Sequence, residues 1–290
     1  MTLPADAHIG QVSLTCADLD RSLKFYKDVL GFVEIEPTRL GPAGGRVLIE
    51  LHERKDAIAK PRRSTGLYHF AILVPSRAAL GRSLRRLVDW RWPMTGASDH
   101  LVSEALYLND PDGLGIEIYR DRPRDSWRRQ PNGELAMATD PLDLQGVHDE
   151  PGAEMPWQGL EPGTVMGHVH LHVPHIDTAE RFYCRRIGFE PMVSTYPGAL
   201  FVAAGGYHHH LGLNVWTGIG APPPPENAVG LRSFTIESTG VQAENVHDEA
   251  TGVTVSLVGV ASAFRRTVPV ATAPTRRRVP PSRSPARCRA

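Results

Sequence analysis

Hydrophobic and polar residues alternate along this chain in short stretches that fall into a repeating order. "IGQVSLT" (from Ile9) alternates as a β-strand, and Leu19, Leu23, Tyr26, Val29 and Leu30 then recur at helical spacing. Asp18 stands where that helix needs a cap, and Gly31 stands where it must stop. Two or three strands follow, including "RVLIEL". "GLYHFAILV" (Gly66 to Val74) opens a second unit, whose pattern predicts a helix from about Arg77 to Val88. Short strands "SEALYL" and "LGIEIY", joined by the turn "DPDG", close it. A third unit runs from "TVMGHVHLHV" to "GGYHHHLGLNVW". Beyond a proline run (Pro222 to Pro225), "GLRSFTIES" predicts the first strand of a fourth. That unit is expected to be incomplete. "GVTVSLVGV" supplies one strand, but the Asp-Pro turn and the last strand are missing from the pattern, and Ala- and Arg-rich sequence follows.

The order is a duplication. "ADLDRSLKFYKDVLGF" recurs as "HIDTAERFYCRRIGF", with Tyr26 matching Tyr183, Gly31 matching Gly188 and Phe32 matching Phe189. So long a period marks duplicated domains, not a solenoid. The predicted class is α+β, built of tandem βαβββ units. An N-terminal domain spans residues 1–125, a Pro/Gly/Asp/Arg-rich connector 126–162, and a C-terminal domain 163–258. Residues 259–290 read as a disordered Arg/Pro/Ala-rich tail.

Composition narrows the class. The chain has 290 residues, 41% of them hydrophobic and 22% charged, which suits two soluble globular domains. No run is apolar enough to span a membrane and no signal pattern opens the chain, so a cytoplasmic protein is expected. Three scattered cysteines argue against a disulfide framework or a thiolate metal site. The net charge of zero conceals an asymmetry. Eight of the 32 basic residues are arginines beyond Glu249, where no acid follows, leaving 24 against 32 acidic residues in the body. The basic tail lacks aromatic interleaving and a companion fold, which disfavours nucleic-acid binding. Composition leaves a homo-oligomer open.

Candidate chemistry sits in the second and third units. His69 lies inside an apolar strand, where a single histidine is more often a hydrogen-bonded core residue than a ligand. Glu117, between Ile116 and Ile118, is either turned to solvent by strand alternation or buried at a cost that a partner or metal must offset. His168, His170 and His172 share one strand face, and imidazoles so placed need partners. The run His208-His209-His210 is a catalytic cluster or a surface one. Two neutral imidazoles and one carboxylate on one side of a metal leave three positions open, an arrangement suited to non-haem Fe(II). Structural zinc is disfavoured because no Cys–His spacing supports it. Trp90, Trp92, Tyr196 and Trp216 are candidates for a pocket lining, with the core as the competing location.

The paired units, the FY…GF motif, "DPDGLGIEIY" and "GHVHLHV" resemble the vicinal oxygen chelate (glyoxalase/extradiol dioxygenase) superfamily. "DHLVSEALYLNDPDGLGIEIYRDRPR" and "GGYHHHLGLNVW" further resemble its tandem-domain catechol 2,3-dioxygenases, and the likeness covers about residues 8 to 240. It implies two glyoxalase-like domains with curved mixed sheets. It implies metal ligation by one first-strand residue together with a histidine and a glutamate of a partner unit. Gln11 and His168 are the first-strand candidates, and Ser233 stands in the fourth unit where His69 stands in the second. The set is therefore His69, Glu117 and His168, met across the two domains. The same resemblance makes His100 and Tyr107 substrate-binding groups and His209 the acid–base, with His208 or His210 as fallback.

The implied activity is extradiol cleavage of a catechol-type aromatic diol with O2 at Fe(II), Mn(II) being the alternative metal, in aromatic catabolism. The competing readings are another metal-dependent enzyme of the superfamily (isomerase, hydratase or glutathione transferase) and a ligand-binding protein without catalysis.

Overall fold

A computed structural model describes residues 2–261; the expected disordered tail lies almost wholly outside the described residues. The strands named from the apolar alternation form where expected, and others join them. The first unit holds β1 (His8–Cys16), α1 (Leu19–Lys24), β2 (Val33–Glu36), β3 (Arg39–Gly41) and β4 (Ile49–Glu53). The second holds β5 (Gly66–Leu73), α2 (Arg77–Asp89), β6 (Met94–Asp99), β7 (Ser103–Asn109) and β8 (Gly115–Asp121). The connector contributes β9 (Asp140–Pro141) and α3 (Leu144–His148). The third unit contains β10 (Val165–His172), α4 (Ile176–Glu180), β11 (Glu190–Val193), β12 (Ala199–Ala203) and β13 (Leu211–Asn214). The last contains β14 (Gly230–Ser238), β15 (Glu244–Asp248) and β16 (Val253–Gly259).

Two mixed sheets result, and neither belongs to one half of the sequence. One runs β15-β16-β14-β1-β4-β3-β2, the other β11-β12-β13-β10-β5-β8-β7-β6-β9. Units one and four thus share a sheet through the antiparallel β1–β14 pair, and units two and three through β10–β5. The boundaries at 125 and 163 separate lengths of chain, whereas the sheets join unit to unit across them. Both sheets bury one continuous apolar core that includes Tyr26, Phe70, Tyr183 and Phe234.

The fourth unit is more complete than the sequence suggested. The foreseen strand "GVTVSLVGV" is β16, the unit's last, parallel to β14, and β15, which the sequence did not mark, runs antiparallel to it. The turn Asp248–Gly252 replaces "DPDG", with Gly252 taking the left-handed conformation (φ 73°) that Gly113 takes (φ 83°). The turn escaped sequence reading because it carries no Asp-Pro pair. Relative to the second unit, what the fourth lacks is a helix and one strand between β14 and β15. Ser256 stands on β16 at the position equivalent to Glu117, since Ser233 pairs with Thr254 as His69 pairs with Gly115.

The FY tyrosines explain the recurring motif. Asp18 caps α1 as expected, accepting from the Arg21 N–H, and the helix delivers Tyr26 into the core. Tyr26 then donates to Asp110 at 3.0 Å, and Tyr183 donates to Asp248 at 2.9 Å. Each tyrosine thereby pins its own unit to the turn of the next, which lies in the other sheet. Removing a donor from a buried, charged acceptor costs about 1–3 kcal/mol. Tyr183→Phe is therefore expected to lower stability by that amount in chemical denaturation, with little change in metal content.

Gly31 leaves the helix with φ 79°, and a Cβ there would lie 2.8 Å from Gly159 Cα. Glycine is required on both counts.

Candidate metal centre and active site

Strand register assembles the site. Tyr107 on β7 pairs with Glu117 on β8, Glu117 with Ala71 on β5, and Ala71 with His168 on β10. Paired residues share a sheet face, so these four form one row across four strands. The adjacent row on the same face runs Asn109, Gly115, His69, His170, Gly212 and Phe201. Ala71 is the small residue between Glu117 and His168. Its short side chain leaves the space into which the two longer ones converge.

Glu117, His69 and His168 are 2%, 6% and 1% exposed, which rules out the solvent-facing alternative for Glu117. The Glu117 Oε2 lies 3.0 Å from His69 Nε2 and 3.1 Å from His168 Nε2, and the two imidazole nitrogens are 3.4 Å apart. Two ligands bound at ~2.1 Å and at right angles stand about 3.0 Å apart, so the three atoms fit one face of an octahedral ion. Among the described residues this is the group that brings three ligating atoms together. Burial alone would raise the Glu117 pKa, but the two imidazoles outweigh it and hold the carboxyl well below its usual range. Burial lowers His168 to about 4. An ionised carboxylate beside a neutral imidazole is the donor set a divalent cation requires.

His170 and His172, which share the strand face, do not join the group. Asn214 bridges them: its amide N–H donates to His170 Nε2 at 3.0 Å, and its oxygen accepts from His172 Nδ1 at 2.7 Å. Asn214 is fully buried on β13, and no spacing in the sequence marks it as their partner.

The triad opens onto a cavity of about 570 Å3 lined by His100, Tyr107 and His209, among others. His100 Nδ1 donates to the Ala138 carbonyl at 2.6 Å, which leaves its Nε2 to accept from the Tyr107 hydroxyl, also at 2.6 Å. Burial and the Glu117 charge push the Tyr107 phenol well above its usual pKa, so it stays protonated. Of the consecutive histidines only His209 reaches the cavity. His210 accepts from the Ala204 N–H, and His208 turns toward Asp121.

That Asp121 contact orders the protons. The carboxylate only accepts, so His208 Nε2 donates to it at 2.9 Å, and Tyr207 donates to it at 3.0 Å. A neutral His208 then offers Nδ1 as acceptor to His209 Nδ1–H, 2.8 Å away. His209 Nε2 is left with a free lone pair. Burial, with His168 and His208 beside it, holds His209 well below the usual imidazole pKa. The sequence placed Asp121 in "EIYRD" but gave no sign that it would support the cluster.

Among the described residues the other sheet holds no comparable group. Gln11, at the position of His168, accepts from Arg39, and His52 lies near Glu50. Tyr196 and Trp216 line the cavity; Trp90 and Trp92 do not. The connector is also more than a linker, since Met137, Ala138 and Thr139 form part of the cavity wall.

Ala71→Val tests the role of the small residue. Added methyls between Glu117 and His168 are expected to lower metal affinity at least about tenfold, with the ~1–3 kcal/mol stability loss typical of overpacking. Metal analysis and a thermal melt read the two effects separately.

Comparisons with known proteins agree with this architecture. Residues 8–118 match the family model of the Glyoxalase/Bleomycin resistance protein/Dioxygenase superfamily. A catechol-2,3-dioxygenase of Bacillus subtilis is 49% identical over 238 residues, covering 80% of this chain and 82% of its own. The virulence protein STM3117 of Salmonella typhimurium is 28% identical over 119 residues, covering 38% of this chain and 81% of its own. A crystal structure of a dioxygenase-like protein from Bacillus subtilis superposes with a TM-score of 0.54 at 12% identity, covering 89% of this chain and 88% of that one. Glyoxalase I of Zea mays gives 0.50 at 13% identity, covering 87% and 92%. These last two are likenesses of fold. No helix among the described residues is long and apolar enough to cross a membrane. With its duplicated units, its mixed sheets and a relative identical at nearly half of the aligned positions, the chain belongs to the glyoxalase/bleomycin resistance protein/dioxygenase superfamily.

Proposed function

We propose that the protein is an extradiol dioxygenase that opens a catechol ring beside its two hydroxyls, using O2 and Fe(II). The observation that carries this reading is the convergence of His69, Glu117 and His168, the first two of which line a cavity whose walls also present His100, Tyr107 and His209. The likeness to a catechol-2,3-dioxygenase supports the same activity. His69, Glu117 and His168 would hold the ion, which when bound supplies open positions for the diol and dioxygen and a path for electrons between them.

The chain's own residues handle protons and position. His209 Nε2 accepts a proton from one substrate hydroxyl as the diol enters. Its Nδ1 proton can then pass to His208 Nδ1, where the resulting imidazolium faces the Asp121 carboxylate. The proton returns along the same path as the ring opens. Tyr107 donates to His100 and keeps an oxygen lone pair for a substrate hydroxyl, which fixes the ring over the triad. Burial excludes water from this corner. Both oxygen atoms enter the product, a 2-hydroxymuconic semialdehyde type compound.

Oxygen uptake by the Fe(II)-loaded protein, with a yellow product growing from catechol, is the expected test result. A colourless turnover without oxygen uptake would favour an isomerase or hydratase of the same superfamily, and Mn(II) in place of iron tests the alternative metal.

A further inference from the structure

The aromatic wall of the cavity, which starts beside His69 and His209, carries information about the substrate that the triad does not. Its walls are Tyr68, Met137, Tyr196, Phe201 and Trp216. The aromatic rings contact one another at 5.6 Å (Tyr68–Trp216), 5.7 Å (Tyr196–Phe201) and 6.3 Å (Tyr196–Trp216). Their polar atoms are largely spent on the protein. Trp216 Nε1 donates to the Pro197 carbonyl, and the Tyr196 hydroxyl is bound to Thr139. What these side chains offer a ligand is mainly apolar surface.

Charge points the same way. Among the described residues no lysine or arginine lines the cavity, and its one carboxylate is Glu117. A substrate carboxylate would enter without a cationic partner and lose its hydration. The volume, about 570 Å3, lies in the ~300–1,000 Å3 range of pockets that hold drug-sized ligands, well beyond the needs of a bare catechol.

We infer that the preferred substrate is an uncharged catechol carrying a bulky apolar substituent, aryl or alkyl, seated against Met137, Tyr196, Phe201 and Trp216. This rests on the extradiol reading for the diol end and on the aromatic chamber for the substituent.

The full-length iron-loaded protein is assayed by oxygen uptake with catechol, 3-phenylcatechol, 4-butylcatechol and 3,4-dihydroxyphenylacetate. One of the two apolar catechols is expected to exceed catechol at least tenfold in kcat/KM, mostly through KM, and to exceed the carboxylated compound at least a hundredfold. Catechol turning over best, or the carboxylated compound matching the apolar ones, overturns the inference and leaves the oxygenase reading intact. Calorimetric binding of 4-butylphenol against 4-hydroxyphenylacetate, neither of them a diol, tests the chamber without turnover. Preference for 4-butylphenol supports the inference even if no diol consumes oxygen, an outcome that would defeat only the oxygenase reading. Equal or reversed affinities contradict it.

Discussion

His168→Ala is expected to yield a folded protein that has lost its iron and whose ring-cleaving activity falls by more than about a thousandfold, because the diol and dioxygen no longer meet on one ion. His69→Ala should do the same to the same degree. The equivalence matters because the two histidines lie on β5 and β10, which belong to opposite halves of the sequence and meet only through the antiparallel pairing of those strands. Circular dichroism checks the fold and metal analysis the loss. Retention of both iron and activity by the His168 variant would show that the triad is not the metal centre. A variant that merely unfolds is distinguished by Glu117→Gln, which keeps the volume and removes the charge. It too should lose the ion.

The second large effect concerns proton handling. His209→Gln should retain iron and lower kcat by about 10²–10⁴-fold, the usual contribution of a positioned acid–base group. Asp121→Asn should lower kcat by a smaller factor, about tenfold, because it reaches His209 only indirectly, through His208. An Asn amide that turns its N–H toward His208 Nε2 reverses the hydrogen-bond direction, so that His209 no longer presents a bare Nε2. The two changes together should cost little more than His209→Gln by itself, since they remove one relay. Full additivity in that double-mutant cycle would separate Asp121 from the histidine and end the relay assignment.

Much of the site could be read from the chain. Glu117 between two isoleucines and three histidines on one strand face violate the apolar rule for buried strands, and such violations attract attention locally. Tyr107 was reachable only through the family resemblance, and the structure pairs it with Glu117 across the "DPDG" hairpin. The rest depends on contacts between segments far apart in sequence. Pairing of unit one with four and two with three was expected only from the resemblance, because a tertiary choice is written in no single stretch. Ala71 matters only because Glu117 and His168 flank it, and an alanine in an apolar strand carries no signal of that. Asp121 and Asn214 partner histidines 87 and 44 residues away. The fourth unit shows the opposite error, where the absence of a familiar turn hid β15, a strand that pairing with the foreseen β16 supports without it.

The most direct test of the central claim is an anomalous difference map at the iron edge from crystals of the Fe(II)-loaded protein. The expected result is one strong peak at bonding distance from His69 Nε2, His168 Nε2 and Glu117 Oε2 together. A peak held by other residues, such as His170 and His172 or the Gln11–His52 face of the opposite sheet, would contradict it.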